Sequence, residues 1–133
     1  MSDTVETKNK AIVREAFETL FNKRDYAAAE RFWSPNYIQH SAHIAPGREG
    51  LFALTRALPP NLKYEMQSIV ADGDMVIAHG RFSKIGLPVN WIAADILILN
   101  DGILVEHWDV IQEEATREQS KSGNPMFGDS FPN

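Results

Sequence analysis

Cysteine is missing from the 133 residues altogether. That excludes disulfide staples, thiolate nucleophiles and any zinc or iron–sulfur site built on Cys ligands, and it fits a cytoplasmic location. Basic charge is scarce and scattered: 13 Lys and Arg stand against 18 Asp and Glu, a formal net charge of −5. A nucleic-acid binder gathers its basic residues on one face, so that class falls away. Long apolar runs are lacking too. Nothing approaches the ~20 apolar residues of a membrane span, and the first twenty residues are polar and helical in pattern, without a signal-peptide block. What remains reads as a single domain over 1–133, able to bury roughly two-thirds of its unfolded surface without staples.

The first half has helical periodicity. From Thr4 to Lys23, Ile12, Val13, Ala16, Phe17, Leu20 and Phe21 recur at three-to-four spacing, with Lys8, Lys10, Glu15, Glu18 and Lys23 on the other side. Asp3 followed by Glu6 resembles a capping box. A second helix is predicted from about Tyr26 to Phe32 with Asp25 as N-cap, ended by Ser34-Pro35-Asn36, since the residue before proline leaves the helical region. Tyr37 to His40 is then a short strand, and a third helix spans about Arg48 to Leu58, stopped by Pro59-Pro60.

The second half changes period. Leu62 to Ala71, Met75 to Ser83, Val89 to Leu99 and Ile103 to Gln112 are rich in β-branched and aromatic residues, with turn signals between them. The polar tail, 115–133, reads as an extended arm. Helices first and a meander afterwards is an α+β pattern: three N-terminal helices packed on a curved, mainly antiparallel sheet that encloses a pocket. Both faces of the strand around Trp91 to Leu99 are apolar. Trp91, Ala93, Leu97 and Leu99 share one face; Ile92, Ala94, Ile96 and Ile98 share the other. A second apolar face needs a cover, and a homodimer through the outer sheet face is the expected one.

Particular residues then carry a resemblance. Asn9-Lys10 through Phe21 with Asp25-Tyr26, Tyr37-Ile38-Gln39-His40 and Gly47-Arg48-Glu49-Gly50 are similar to the first half of SnoaL-like proteins. Asp95-Ile96, the Gly102 to Asp109 block ending Glu106-His107-Trp108-Asp109, and Gly123-Asn124-Pro125-Met126-Phe127 resemble the second half. The chain thus resembles the SnoaL-like polyketide-cyclase branch of the nuclear-transport-factor-two-like superfamily. That resemblance implies a cone-shaped α+β barrel, usually dimeric, with a deep pocket between helices and sheet. The superfamily includes ketosteroid isomerase, scytalone dehydratase, limonene-epoxide hydrolase and many non-catalytic members, so fold transfers better than activity.

The polyketide cyclases work without metal or cofactor: an acidic side chain moves a proton on carbon beside a carbonyl while the pocket stabilises the enolate. Such chemistry needs a carboxylate in an apolar pocket, where desolvation raises its pKa, and donors at the developing oxyanion. Asp109 matches the family's aspartate and is the candidate acid/base. Asp95 stands where cyclases have a partner histidine, a departure that weakens polyketide cyclisation as the reaction. Hairpin register decides whether these groups meet. A three-residue Asn100-Asp101-Gly102 loop puts Asp95 opposite His107 and Asp109 on the same face; a two-residue Asp101-Gly102 turn puts Asp95 opposite Trp108 and turns Asp109 away. Glycine in third place favours the first.

The expected catalytic set is therefore Asp109, Asp95 and His107, with His40, His79, Tyr37, Trp33 and Trp91 as the substrate-binding set. His79 serves equally as a core histidine, and each aromatic is more often plain core. His40-x-x-His43, completed by Asp95 or Asp109, is a weak metal pattern, and no metal or cofactor is expected. Arg81 is expected to pair with a carboxylate such as Glu65, and Glu113, Glu114 and Glu118 read as a solvated surface. The expected ligand is a small apolar carbonyl compound, taken by an isomerase, cyclase or hydratase-type lyase. The rivals are a binding module and a dimerisation domain of the same fold.

Overall fold

The computed structural model describes residues 4–132. Helix α1, Val5–Phe17, begins at Thr4, whose hydroxyl accepts the Thr7 N–H at 3.1 Å. Asp3 of the expected capping box lies outside the described residues. The helix runs on as a π-helical turn, Glu18–Asn22. That turn buries Leu20 and Phe21 and delivers Asn22 to the start of the sheet, where its side-chain amide takes both backbone groups of Tyr64, at 2.8 and 3.0 Å. An edge strand's unpaired N–H and C=O are thereby satisfied within the molecule.

Helix α2, Tyr26–Ala29, is capped by the Asp25 carboxylate as expected and closes with a 3₁₀ turn, Glu30–Phe32. Strand β1, Trp33–Gln39, follows at once. Ser34-Pro35-Asn36, predicted to end a helix, lies inside this strand, which tolerates proline because it is an edge with an irregularity between Trp33 and Ile38. Helix α3, Gly47–Ala57, precedes β2, Lys63–Asp72, β3, Met75–Ser83, β4, Trp91–Asn100, and β5, Ile103–Glu113.

The sheet order is β1-β5-β4-β3-β2, an antiparallel meander with β1 added parallel to β5. This is the expected α+β architecture, although the sheet stays open and does not close into a barrel. The helices cover one face. Val13, Ala16 and Leu20 from the first helix and turn meet Leu51 and Phe52 from α3 over Val76, Leu97, Leu99 and Leu104. Tyr64 packs on Gly80 of the neighbouring strand, where any Cβ would collide with the Tyr64 ring and hydroxyl. No described helix is long and apolar enough to cross a membrane.

The opposite face is partly covered by the C-terminal arm. Phe127 is buried there, with the Arg81 guanidinium 4.4 Å from its ring centroid and the His79 ring at 6.0 Å, and Gly128 N–H donates to Gln67 Oε1 at 2.7 Å. Arg81 is held mainly by Glu114, through Nε at 2.8 Å and Nη2 at 2.5 Å, while Glu65 stands off at 3.8 Å. Arg81 thus pairs with carboxylates as expected, Glu65 among them, but one expectation is corrected: Glu114 is no surface residue, its side chain being 0% exposed and closed off beside Arg81 and Asn90. Val110 (67% exposed), Val70, Ile38 and Met75 remain open on the described surface.

Removing one member of a buried ion pair strands the other charge. Arg81 keeps only 15% of its side-chain surface. Glu114→Ala should therefore cost about 3–5 kcal/mol of unfolding free energy, measured by urea denaturation, with Glu114→Gln less damaging because it preserves acceptor geometry.

Candidate active site

The site is built on the β4–β5 hairpin. Asp101 (φ 49°) and Gly102 (φ 78°) both adopt left-handed backbone and form a two-residue turn that pairs Asn100 with Ile103. Leu99 pairs with Leu104, but Ile98 pairs with Glu106, leaving Val105 as an extra residue on β5. That bulge shifts everything beyond it by one, so Asp95 faces Asp109 and Leu97 faces His107. Neither register considered from sequence is the observed one. The tight turn is right for the second and the shared face right for the first, because a bulge restores the parity that the turn alone would invert.

His107 is held from three sides. Its Nε2 lies 2.7 Å from Asp95 Oδ1, its Nδ1 lies 2.6 Å from Gln39 Oε1, and Tyr37 stacks on its ring at 6.1 Å and 16°. Gln39 Oε1 also accepts the Ser41 backbone N–H at 2.9 Å, which identifies that atom as oxygen. The hydrogen on the Gln39 side of the imidazole therefore sits on Nδ1. Between Nε2 and Asp95 Oδ1 there is then one proton, on either atom, and the pair is neutral overall.

Asp95 is 4% exposed, and its Oδ2 has no hydrogen-bond partner among the described residues. Burial pushes its carboxyl above the ordinary range; the His107 hydrogen bond and charge pull it back, and the Asp109 charge pushes it up again. Tyr37 is raised as well, first by burial and further by Asp95 and Asp109, so its hydroxyl stays protonated. The Trp33 indole offsets part of that rise. Its Nε1–H nevertheless makes no hydrogen bond of normal geometry among the described residues.

These groups line one cavity. Asp95, His107, Asp109, Tyr37 and Trp33 form its polar end; Phe17, Phe21, Leu51, Phe82, Ile85 and Trp91 belong to its apolar wall. The cavity volume is about 60 Å³, and its mouth opens to solvent. His43 stacks on Trp91 at 6.2 Å and 21°, beside the lining residue Ile44.

Six of the eight sequence candidates thus come together: Asp95, Asp109, His107, Tyr37, Trp33 and Trp91. His40 and His79 are not among the residues that line the cavity. His40 pairs with Glu106 (Nε2 to Oε2, 2.7 Å) and stacks on Trp108 at 4.5 Å, while His79 lies against Phe127. Strand alternation is the cause: Tyr37 points inward, so Gln39 follows it and His40 turns out. Gln39 is the residue that sequence reading passed over, although the same alternation marks it.

The weak His40-x-x-His43 metal pattern is likewise undone by the engagement of His40. The ligand atoms of Asp95, His107 and Asp109 do lie within 4.8 Å of one another. A cation among them would have to displace the proton that Oδ1 and Nε2 share.

With fold and site in place, comparison with known proteins is informative. The sequence matches the SnoaL-like polyketide cyclase family over residues 11–120, and the chain belongs to that family. Solved structures similar to it include a candidate ketosteroid isomerase from Kribbella flavida, with TM-score 0.76 and 18% identity over 97% of this chain and 98% of that one. TsrD from Streptomyces laurentii aligns with TM-score 0.68 and 22% identity over 84% of this chain and 92% of its own. AclR, a candidate hydroxylase from Streptomyces galilaeus, aligns with TM-score 0.65 and 26% identity over 80% of each chain. No curated protein matches the chain. The likeness to these structures is one of fold.

The raised Asp95 carboxyl has a consequence for stability. Above its ordinary pKa of 3.8 the unfolded chain gives up this proton while the native state keeps it. Native Asp95 therefore contributes stability fully below pH 3.8, and that contribution is lost as pH rises through the native value. Asp95→Asn lacks the effect. The Tm difference between wild type and Asp95→Asn, followed in small pH steps, should turn against wild type as pH rises from about 4.

Proposed function

We propose that this chain is a cofactor-independent acid/base catalyst, acting in the cytoplasm on carbon beside a carbonyl: an isomerase, aldol cyclase or hydratase-type lyase for a small, mostly apolar carbonyl compound. One observation carries the reading. Two carboxyl groups stand directly opposite each other at the end of an otherwise apolar cavity, and one of them shares its proton with a buried histidine. Membership of the cyclase family supports the class of reaction.

Asp109 takes the proton. As the C–H bond breaks, its electron pair moves onto the carbonyl oxygen, and Asp109 later returns the proton to another atom of the same molecule. The oxygen that becomes anionic is met by the Tyr37 hydroxyl, a protonated donor that lines the cavity. The Asp95–His107 pair keeps a second bare carboxylate from facing Asp109, which would otherwise resist ionisation. Burying like charges opposite each other is costly; sharing one proton with an imidazole removes the cost.

The chemistry is measurable without the physiological substrate. In deuterated buffer, proton NMR of 1-tetralone and cyclohex-3-enone should report α-proton exchange catalysed by wild type. Asp109→Asn should slow it by about 10²–10⁴-fold, the range for a lost general base, while thermal-shift binding of the ketones persists. Equal exchange rates in the two proteins would overturn the assignment of Asp109. A second reading, ligand binding without turnover, draws on the mostly apolar wall of the cavity. It predicts thermal stabilisation by the ketones with no exchange in wild type.

The proposal extends to assembly as a homodimer through the outer sheet face, where Val110 is 67% exposed. Val110→Asp places a charge on that face and should shift light-scattering mass from dimer to monomer with the fold intact by circular dichroism. A wild-type protein that is monomeric at the same concentration would refute the dimer.

A further inference from the structure

We infer that Gln39 is a positioning residue for the active site: its side-chain oxygen fixes the proton of His107 on Nδ1, so that Nε2 is committed to Asp95. The catalytic part of this inference rests on the acid/base reading above, whereas the structural part stands without it.

Three strands surround the imidazole. Asp95 comes from β4, Tyr37 and Gln39 from β1 with Trp33 at that strand's start, and Asp109 from β5 itself. Glu106 and His40 pair with each other away from the cavity. Of this set, only Gln39 touches Nδ1, at 2.6 Å.

Its oxygen is oriented in turn. Ser41 N–H donates to the same atom at 2.9 Å, and the parallel pairing of β1 with β5, with Gln39 beside His107 and His40 N–H on the His107 carbonyl at 2.9 Å, fixes the distance. The amide cannot flip without presenting its NH₂ to two donors.

The other end of the side chain points to the same role. Gln39 Nε2 is buried without a hydrogen-bond partner among the described residues. A buried amide that satisfies only its oxygen is unfavourable for stability alone. The oxygen alone has an evident task.

A glutamate at this position would also accept from Nδ1, but its charge would hold the ring as imidazolium. Asp95 would then be left as the bare carboxylate facing Asp109. A neutral acceptor fixes the tautomer and leaves the shared proton free to move between Oδ1 and Nε2.

The test reads ring nitrogens directly. The protein is labelled with ¹⁵N-histidine; among its four histidines, the His107 signals are those lost in His107→Asn. In wild type, Nδ1 should carry a proton at neutral pH. Gln39→Leu should give averaged shifts from two tautomers. Gln39→Glu, which keeps the acceptor and so guards against loss of fold, should show both nitrogens protonated at neutral pH.

Ketone exchange should fall roughly 10–100-fold in Gln39→Leu, the size found when groups orienting metal-bound histidines are removed, with Asp109 unaltered. The inference is overturned if wild-type Nδ1 is unprotonated, or if folded Gln39→Leu retains the wild-type ring pattern. Should wild type show the expected tautomer but catalyse no exchange, the positioning role is supported and the acid/base reading is the one that falls.

Discussion

One extra residue on one strand sets the relation of the two carboxyl groups. The Asp101–Gly102 turn alone would pair Asp95 with Trp108 and send Asp109 to the outer face, because side chains alternate with a period of two. Val105 is inserted between the residues that pair with Leu99 and Ile98, and beyond it Asp95 meets Asp109 while His107 enters the same face. Pocket composition, the stacking of Tyr37 on His107 and the placement of Trp108 on the opposite side all follow from that single step in register.

Once two carboxyl groups are brought together away from water, the remaining question is how their charge is tolerated. Isolated anions in apolar surroundings are costly and lose their charge by binding protons. Here the load is divided. Asp95 shares a proton with His107, whose other nitrogen is satisfied by an uncharged oxygen. Asp109 is half-buried and lines the same cavity. A similar concern for buried charge governs the outer face, where Arg81 and Glu114 neutralise each other under the C-terminal arm.

Most of the architecture was legible in the chain. Periodicity located the long first helix, the Asp25 cap and four strands to within a few residues, since each is amphipathic or bounded by strong turn residues. Strand β1 was read short, because Pro35 looks like a terminator unless the strand is known to be an edge. His107 and Asp109 were found through the Glu106-His107-Trp108-Asp109 block that carries the family resemblance, and Asp95 through its place opposite them and its apolar neighbours. Their pairing was not, because a bulge carries no reliable signature in composition. His40 drew notice as a histidine, when its neighbour Gln39 occupied the inward position. Glu114 looked like any acidic tail residue, since its burial depends on an arginine 33 positions away.

The partnership between Gln39 and His107 spans 68 positions, and the strand carrying Gln39 joins the sheet parallel to the one carrying His107. Parallel pairing needs a crossover, and closing so long a loop has an entropic cost that local hairpins do not meet. The meander can form from neighbouring segments in sequence, yet it leaves the imidazole without its Nδ1 acceptor until the N-terminal part has docked. The site is thus a product of the whole chain. No contiguous half of the molecule contains it, and its assembly belongs to the latest, most long-range stage of folding.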